Sequence, residues 1–402
     1  MEIAIIGGGA AGFFAAISAK QHHPAAGVTI YEKTSKLLAK VKVSGGGRCN
    51  VTNACYNVSQ LVKFYPRGSK QLKKAFGSFS TGDTVNWFET RGVKLKTEPD
   101  NRMFPITDSS QTIIDCLTRE AGKLGVKIIQ DFPIHSIQPD NSGYKLTGKE
   151  NQTLYVEKVI ITTGGSPKLE GFKWLEQLGH VIESPVPSLF TFNMPEEPVR
   201  KLMGVSVSHV SVRVQGTKLK GEGPLLITHW GMSGPAILKL SAYGARVLYQ
   251  QNYNFKIQVN WLGDHTETDI REVLSGQAAN YTRKKMLNAN PFNIPSRLWD
   301  FLLNKIELRE DITWGELGKK GHNRLINILI NDIYEVRGKT TFKEEFVTCG
   351  GVSLQDVDFN TMQSRKMPGV YFAGEVLDID GVTGGFNFQV AWTTGYLAGQ
   401  LK

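Results

Sequence analysis

The chain opens with EIAIIGGGAAGFFAAISAK, an apolar run that ends in glycines and continues into small and apolar residues. Gly7, Gly9 and Gly12 fit G-x-G-x-x-G directly after a predicted strand and at the start of a helix expected from about Ala10 to Lys20. Gly7 permits the tight turn, Gly9 lets the backbone approach a pyrophosphate, and Gly12 lets helix and strand pack closely. The free N–H groups of the first helical turn, around Ala10 and Ala11, then face the phosphates. A second strand, Val28 to Tyr31, leads to Glu32, twenty residues past Gly12. A carboxylate there accepts hydrogen bonds from ribose hydroxyls and repels a 2′-phosphate, so FAD or NAD is expected over NADP. The spacing demands a βαβ unit with parallel strands.

At 402 residues the chain exceeds what one hydrophobic core usually supports. Further strands are expected at 126–130, 144–149 and 158–165, with a helix over about Ser110 to Leu124. Pro185, Pro187 and Pro195 mark a change of character. Alternating, β-rich sequence follows in VSVSHVSVRVQG and FKIQVNWLG, then helical periods in SRLWDFLLNKI and NRLINILINDIYEV. Strand signals return at FVTCGGV and GVYFAGEV. The expected organisation is α/β: a Rossmann-like dinucleotide-binding domain over 1–187, a β-rich, barrel-like insert over 188–262, a small helical insert over 263–340, and the completing part over 341–402.

The net charge is +10, from 47 Lys and Arg against 37 Asp and Glu. Such an excess steers anionic ligands or nucleic acid, but the basic clusters at Lys63–Lys74, Arg283–Lys285 and Lys319–Arg324 lack the length and aromatic interleaving of a nucleic-acid stripe. They read as solvated helix faces, and nucleic acid is not the expected partner. No apolar run approaches the length of a membrane span, and the opening strand leaves no room for a cleavable leader. A cytoplasmic protein with no membrane partner is expected. The N-x-T/S triplets at Asn50, Asn57, Asn151 and Asn280 are then chance matches, and the four cysteines free thiols.

The stretch SGGGRCNVTNAC, residues 44 to 55, admits three readings. A zinc site wants paired ligands, and none stand nearby, so no metal is expected. A redox dithiol of Cys49 and Cys55 would have an unusual spacing and no proline-capped turn. The glycines favour a third reading, in which SGGGRCN adopts positive φ and Ser44, Gly45 and Gly46 with their neighbours turn successive N–H groups into an anion-binding concavity beside the pyrophosphate. Arg48 then neutralises phosphate or holds an acidic substrate, or else forms a surface ion pair. Cys49 is balanced between a cofactor contact and a small buried filler, and Asn50 and Asn53 have local turn bonds as their plain alternative.

Together with TTGG, LLITHWGMSGPAIL, GGVSLQDVDFNTM and GVYFAGEVLDIDGVTGGFNFQVAWTTGYLAG, these motifs resemble the BaiN/RdsA-like (YhiN-like) family of bacterial NAD(P)/FAD-dependent oxidoreductases. That family falls within the flavoproteins with two dinucleotide-binding motifs, and the likeness covers nearly the whole chain. It implies FAD along the first domain, with the pyrophosphate at the Gly7–Gly12 turn and the adenosine ribose at Glu32 and Lys33. Ile134 would meet the adenine through its backbone, on the strand after VKIIQDF, and Thr163 and Gly164 would end the strand beneath the cofactor. Ser44, Gly45, Gly46, Arg48, Cys49 and Asn50 would line it. Gly374 and Glu375 would approach the ribityl and pyrophosphate region, with Asp380 in the same block, and Gly384, Gly385, Phe386 and Asn387 the isoalloxazine ring. A helix beginning near Asn387 would stabilise negative charge on the reduced ring.

Two stretches depart from the family pattern. SPKLEGFKW after TTGG is short, which weakens any contact from Ser166 to Phe172, and Thr361-Met362-Gln363-Ser364-Arg365 lacks an acid that relatives often carry. The resemblance implies hydride transfer from NAD(P)H, a transient donor, through flavin N5 to a small organic acceptor such as an activated C=C. Arg48, Arg102, His229 and Tyr371 are the candidate proton donors; no catalytic residue stands out among them, and no second glycine fingerprint holds the nicotinamide nucleotide. Two rival functions are a flavin-dependent tRNA modifier, gripping RNA through the helical insert, and a flavin-binding regulatory protein without turnover. None of these residues speaks to oligomeric state.

Overall fold

The computed structural model describes residues 1–263, 265–341 and 347–402. The chain divides into two compact units, one made of 1–188 with 342–402 and the other of 189–341.

In the first unit, β1 (Glu2–Ile6), α1 (Ala10–His22) and β2 (Gly27–Tyr31) form the βαβ start. β1 lies between β2 and Lys158–Ile161, parallel to both, so that Ile5 sits opposite Ile30 on one side and Ile160 on the other. Val370–Phe372 extends the sheet beyond Lys158–Ile161, and Lys127–Ile129 extends it beyond β2, again in parallel. Val357–Asp358 and Gln363–Ser364 complete seven strands with an antiparallel edge. β1 is apolar and buried after its first residue because α1 and the strand Thr153–Val156 both pack against it. The strand order reverses at β1, and in an open α/β sheet the crevice beyond the strand ends at that point receives the ligand.

α1 packs along the carboxy-terminal helix Phe386–Gly399. The contact is backbone to backbone: a Cβ on Gly395 would stand 2.7 Å from the Ala11 carbonyl oxygen, and one on Gly399 2.5 Å from that of Ala15. The small residues that recur in this last helix are therefore packing requirements.

The second unit is built on an antiparallel sheet in the order Asp332–Arg337, Asn254–Asn260, Ser206–Val214, Lys220–Ile227, Gly231–Ser233, Thr191–Asn193, Lys339–Thr340. Its first and last strands are consecutive in the chain, divided by Gly338 at φ +96°. One continuous segment thus pairs with Asn254–Asn260 and then with Thr191–Asn193, which closes the sheet into a barrel. Helices Pro235–Gln250, Glu267–Asn280, Ser296–Lys305 and Gly318–Ile330 belong to the same unit. Trp299, Trp314 and Leu325 share one buried core with barrel residues such as Val212 and Ile257. The division expected at 262/263 accordingly falls inside a single compact unit.

Two local expectations change. Lys158–Ile161 ends before Thr163 and Gly164, which lie in the turn beyond it. Ile134 is not on a strand: it occupies an extended connection, and the next strand begins at Ser136.

Candidate functional site

The glycine turn is held from both sides. Gly7 has φ +115°, and a Cβ there would lie 2.5 Å from the Thr162 carbonyl oxygen. Thr162 Oγ1 donates to the carbonyls of Ile6 (3.0 Å) and Gly7 (2.9 Å). A Cβ on Gly12 would stand 2.0 Å from the Gly7 carbonyl oxygen, whereas one on Gly9 meets nothing within 4 Å among the described residues. Gly9 caps α1 with no side-chain partner and no acidic residue in the first turn, so the N–H groups at Ala10 and Ala11 point outward beside open space. Glu32 stands where β2 ends, its carboxylate accepting from the N–H groups of Gly8 (2.8 Å) and Thr34 (3.0 Å). That places an oriented acid next to the phosphate turn; Lys33 is exposed and Ile134 half-buried nearby in sequence to the Lys127–Ile129 strand.

In the stretch Ser44–Cys49 the glycines take the positive φ expected, whereas Ser44 (φ −62°) and Arg48 (φ −92°) do not. Gly45, Gly46 and Gly47 have φ of +58°, +69° and +84°, and Cys49 follows at +60°. Gly46 and Gly47 face open space, while a Cβ on Gly45 would strike Phe104. Arg48 pairs with Glu98 (2.6 Å) and Asp108 (3.5 Å), and its guanidinium lies 4.0 Å from the centre of the Phe104 ring. Cys49 is fully buried, and burial pushes its thiol up to about 12. At neutral pH its thiol therefore stays protonated. Asn50 and Asn53 do not confine themselves to local bonds. Asn53 Nδ2 donates to the Gly384 carbonyl (3.2 Å). Asn50, with its amide oriented to satisfy both neighbours, accepts from the Gly385 N–H (2.9 Å) and donates to the Thr52 carbonyl (3.0 Å). Thr52 Oγ1 bonds Gln389 (2.6 Å), and Trp392 Nε1 donates to the Val51 carbonyl (2.9 Å).

These bonds fasten the front of the chain to the rear glycines. Gly384 and Gly385 have φ of +129° and +92°, and a Cβ on Gly385 would lie 2.5 Å from Thr52 backbone atoms. Phe386 opens the last helix and stacks on Phe64, ring centres 4.4 Å apart; its carbonyl accepts from Tyr65 OH (2.9 Å). The Asn387 amide brackets Gly381, accepting from its N–H (2.8 Å) and donating to its carbonyl (3.0 Å). Gly374, at φ +78°, donates its N–H to Thr394 Oγ1 (2.8 Å). Glu375 takes the Thr348 N–H (2.9 Å) and pairs with Lys40 (2.5 Å). Asp380 is wholly buried and gripped by Arg67 and Ser188.

All the residues read from sequence as cofactor contacts lie in the first unit. Among the candidate proton donors, Arg102 is paired with Asp100 (2.7 Å) and Glu98 (3.1 Å), and Tyr371 is buried, donating to the Lys402 carbonyl (3.2 Å). His229 belongs to the second unit, its ring against Trp230. The sequence reading assigned no role to Thr162, Arg67, Gln389 or Thr394; the first three act on partners more than 150 positions away and Thr394 on Gly374, 20 positions back, pairings that spacing does not reveal. Among the described residues, no three His, Cys, Asp or Glu side chains are placed to hold a metal ion, and no helix is long and apolar enough to cross a membrane. The uncapped helix start, the open Gly9 and the oriented Glu32 fit the phosphates and ribose of FAD.

Comparison with known proteins agrees with that frame. The family model described as HI0933-like protein Rossmann domain matches residues 1–401. A 3-dehydro-bile acid delta(4,6)-reductase of Clostridium scindens is 27% identical over 407 residues, covering 99% of this chain and 98% of that one. A ribosomal RNA dihydrouridine synthase of Escherichia coli is 31% identical, covering 98% and 96%. A solved 3-ketosteroid delta1-dehydrogenase of Sterolibacterium denitrificans shares the fold at a TM-score of 0.52 and 12% identity, covering 99% of this chain and 98% of that one. The chain therefore belongs to the HI0933-like Rossmann family and is an FAD-dependent oxidoreductase.

Proposed function

We propose that this enzyme reduces a carbon–carbon double bond conjugated to a carbonyl, and that the bond belongs to a uracil base in ribosomal RNA. The observation that carries the reading is the whole-chain similarity to two relatives whose names describe one bond change. A delta(4,6)-reductase and a dihydrouridine synthase both saturate a C=C made electrophilic by a carbonyl. Hydride adds to the carbon β to that carbonyl and a proton to the α carbon. RNA is favoured over a small enone by the higher identity to the synthase of Escherichia coli, 31% against 27% for the bile acid reductase. The synthase relative brings back a partner class that the charge pattern alone had set aside.

Flavin bound here, once reduced by NAD(P)H as the proposed donor, would supply the hydride. The protein's part is to bind and orient. The Gly7–Gly12 turn and the N–H groups of Ala10 and Ala11 would hold the pyrophosphate, Glu32 and Lys33 the ribose, and the Ile134 backbone the adenine. Ser44, Gly45 and Gly46 would offer N–H groups to the cofactor, and Thr163, Gly164, Gly374 and Glu375 would border its middle. Gly384 to Asn387, at the start of the last helix, would lie towards the reactive ring, where a positive helix end would favour added negative charge. Arg48, Asn50 and Asp380 shape the surrounding loops through the bonds described above, and Cys49 fills space beneath them.

The test is anaerobic. Purified holoprotein is reduced with NADH or NADPH, then mixed with ribosomal RNA from cells lacking the gene, or with a steroid enone. Reoxidation of the flavin by RNA, with one uridine gaining two hydrogens, is the expected result. Reoxidation by the enone with RNA inert transfers the reading to a small-molecule substrate.

A further inference from the structure

We infer that the short helix Ser69–Ala75 is a docking face for the ribosomal RNA substrate, an inference that rests on the function proposed above. The helix SKQLKKA buries Leu72 and Ala75 and leaves Lys70, Lys73 and Lys74 exposed. None of the three is paired with a carboxylate among the described residues. A favourable interaction with the helix dipole accounts for basic residues in the last turn, at Lys73 and Lys74, and not for Lys70 one turn earlier.

What distinguishes this face from other basic surface is its attachment. The helix packs against Phe386–Gly399, the helix that begins at the rear glycines. The residues just before it hold the loop leading into that helix. Phe64 stacks on Phe386, and the Phe64 carbonyl accepts from the Val382 N–H (2.9 Å). Tyr65 bonds the Phe386 carbonyl (2.9 Å), and Arg67 grips Asp380. A Cβ on Gly68 would stand 2.7 Å from Ile379. The stretch 64–75 therefore carries three free ammonium groups on the same scaffold that shapes the 379–386 loop. Tyr56, a short way upstream, is exposed with its ring beside Gly82, a flat surface on which an unpaired base stacks. A substrate whose target base enters at that loop brings a phosphate backbone with it. Ammonium groups on flexible stems suit phosphates without sequence readout.

The experiment uses full-length holoprotein and ribosomal RNA from cells lacking the gene. Wild type is compared with Lys70→Glu/Lys73→Glu/Lys74→Glu, with the milder Lys→Gln triple, and with a charge-matched control, Lys127→Glu/Lys149→Glu/Lys173→Glu. Flavin content and flavin reduction by NAD(P)H report that the fold is intact. The docking triples are expected to lose affinity at least tenfold relative to the control. The slope of log Kobs against log salt should fall by about 2, the contribution of three backbone contacts at about 0.7 each. Wild-type RNA affinity and dihydrouridine formation in the docking triples overturn the inference and leave the proposed function standing. A wild-type protein that neither binds nor reduces the RNA overturns the proposed function and the inference together. If the docking triples keep their RNA affinity and lose only binding to phosphatidylserine vesicles, the face belongs to a membrane surface and the inference fails.

Discussion

Arg67 and Asp380 stand 313 positions apart in sequence and form a two-pronged ion pair, with both Nε and Nη2 of the arginine on the carboxylate. Asp380 is fully buried and Arg67 is 15% exposed. Ser188 completes the knot, donating to Asp380 and receiving Arg67 Nη2 at 3.2 Å. The loop ahead of the last helix is therefore fixed by charge as well as by the bonds from Asn50 and Asn53.

Removing one partner leaves the other charged in a dry site. Arg67→Met is expected to cost about 3–5 kcal/mol of stability in urea unfolding of the apoprotein, and Arg67→Met/Asp380→Leu to recover most of it. A single variant as stable as the double would show that the pair carries no such cost.

Gly9 and Gly12 separate cofactor binding from folding. Gly9→Ala places its methyl in open space, so apoprotein stability should stay within about 0.5 kcal/mol of wild type while FAD affinity, read by fluorescence titration, drops at least about tenfold. Gly12→Ala drives its methyl into the Gly7 carbonyl and should destabilise the apoprotein itself, by about 1–3 kcal/mol. Equal loss of stability in both variants would contradict this division.

Glu32 is held by two backbone N–H groups and has lone pairs left for a ribose. Glu32→Ala is expected to weaken FAD binding about 10–100-fold, the range for a charged hydrogen bond, and Glu32→Gln less. Titration of apoprotein with FAD measures both.

Cys49 gives a pH signature. Its thiol ionises near 9 in the unfolded chain and is pushed up to about 12 when folded, so the unfolded state releases a proton first. Stability present below pH 9 is then lost as pH rises towards 12, by up to about 1.4 kcal/mol per pH unit. Cys49→Ala should flatten that limb, and Cys49→Ser/Cys55→Ser should leave flavin reduction by NAD(P)H intact. Iodoacetamide at neutral pH is expected to label the partly exposed Cys55 and spare Cys49. Complete loss of flavin reduction with flavin still bound would restore the dithiol reading.

The sequence alone determined the βαβ start, because Gly7, Gly9, Gly12 and Glu32 act over a span short enough for local sterics to dictate the turn and the next strand. It also marked the left-handed run at Gly45 to Gly47 and the helix that follows Gly385, both written in glycine's freedom at positive φ. Tertiary structure alone decided where Asn50 and Asn53 spend their hydrogen bonds, that Arg48 rests between Glu98 and Asp108, that Arg67 holds Asp380, and that barrel and helices in 189–341 share one core. These contacts join residues tens to hundreds of positions apart. No local propensity encodes such a partner, and burial, which sets the worth of each polar contact, exists only once the chain has closed on itself.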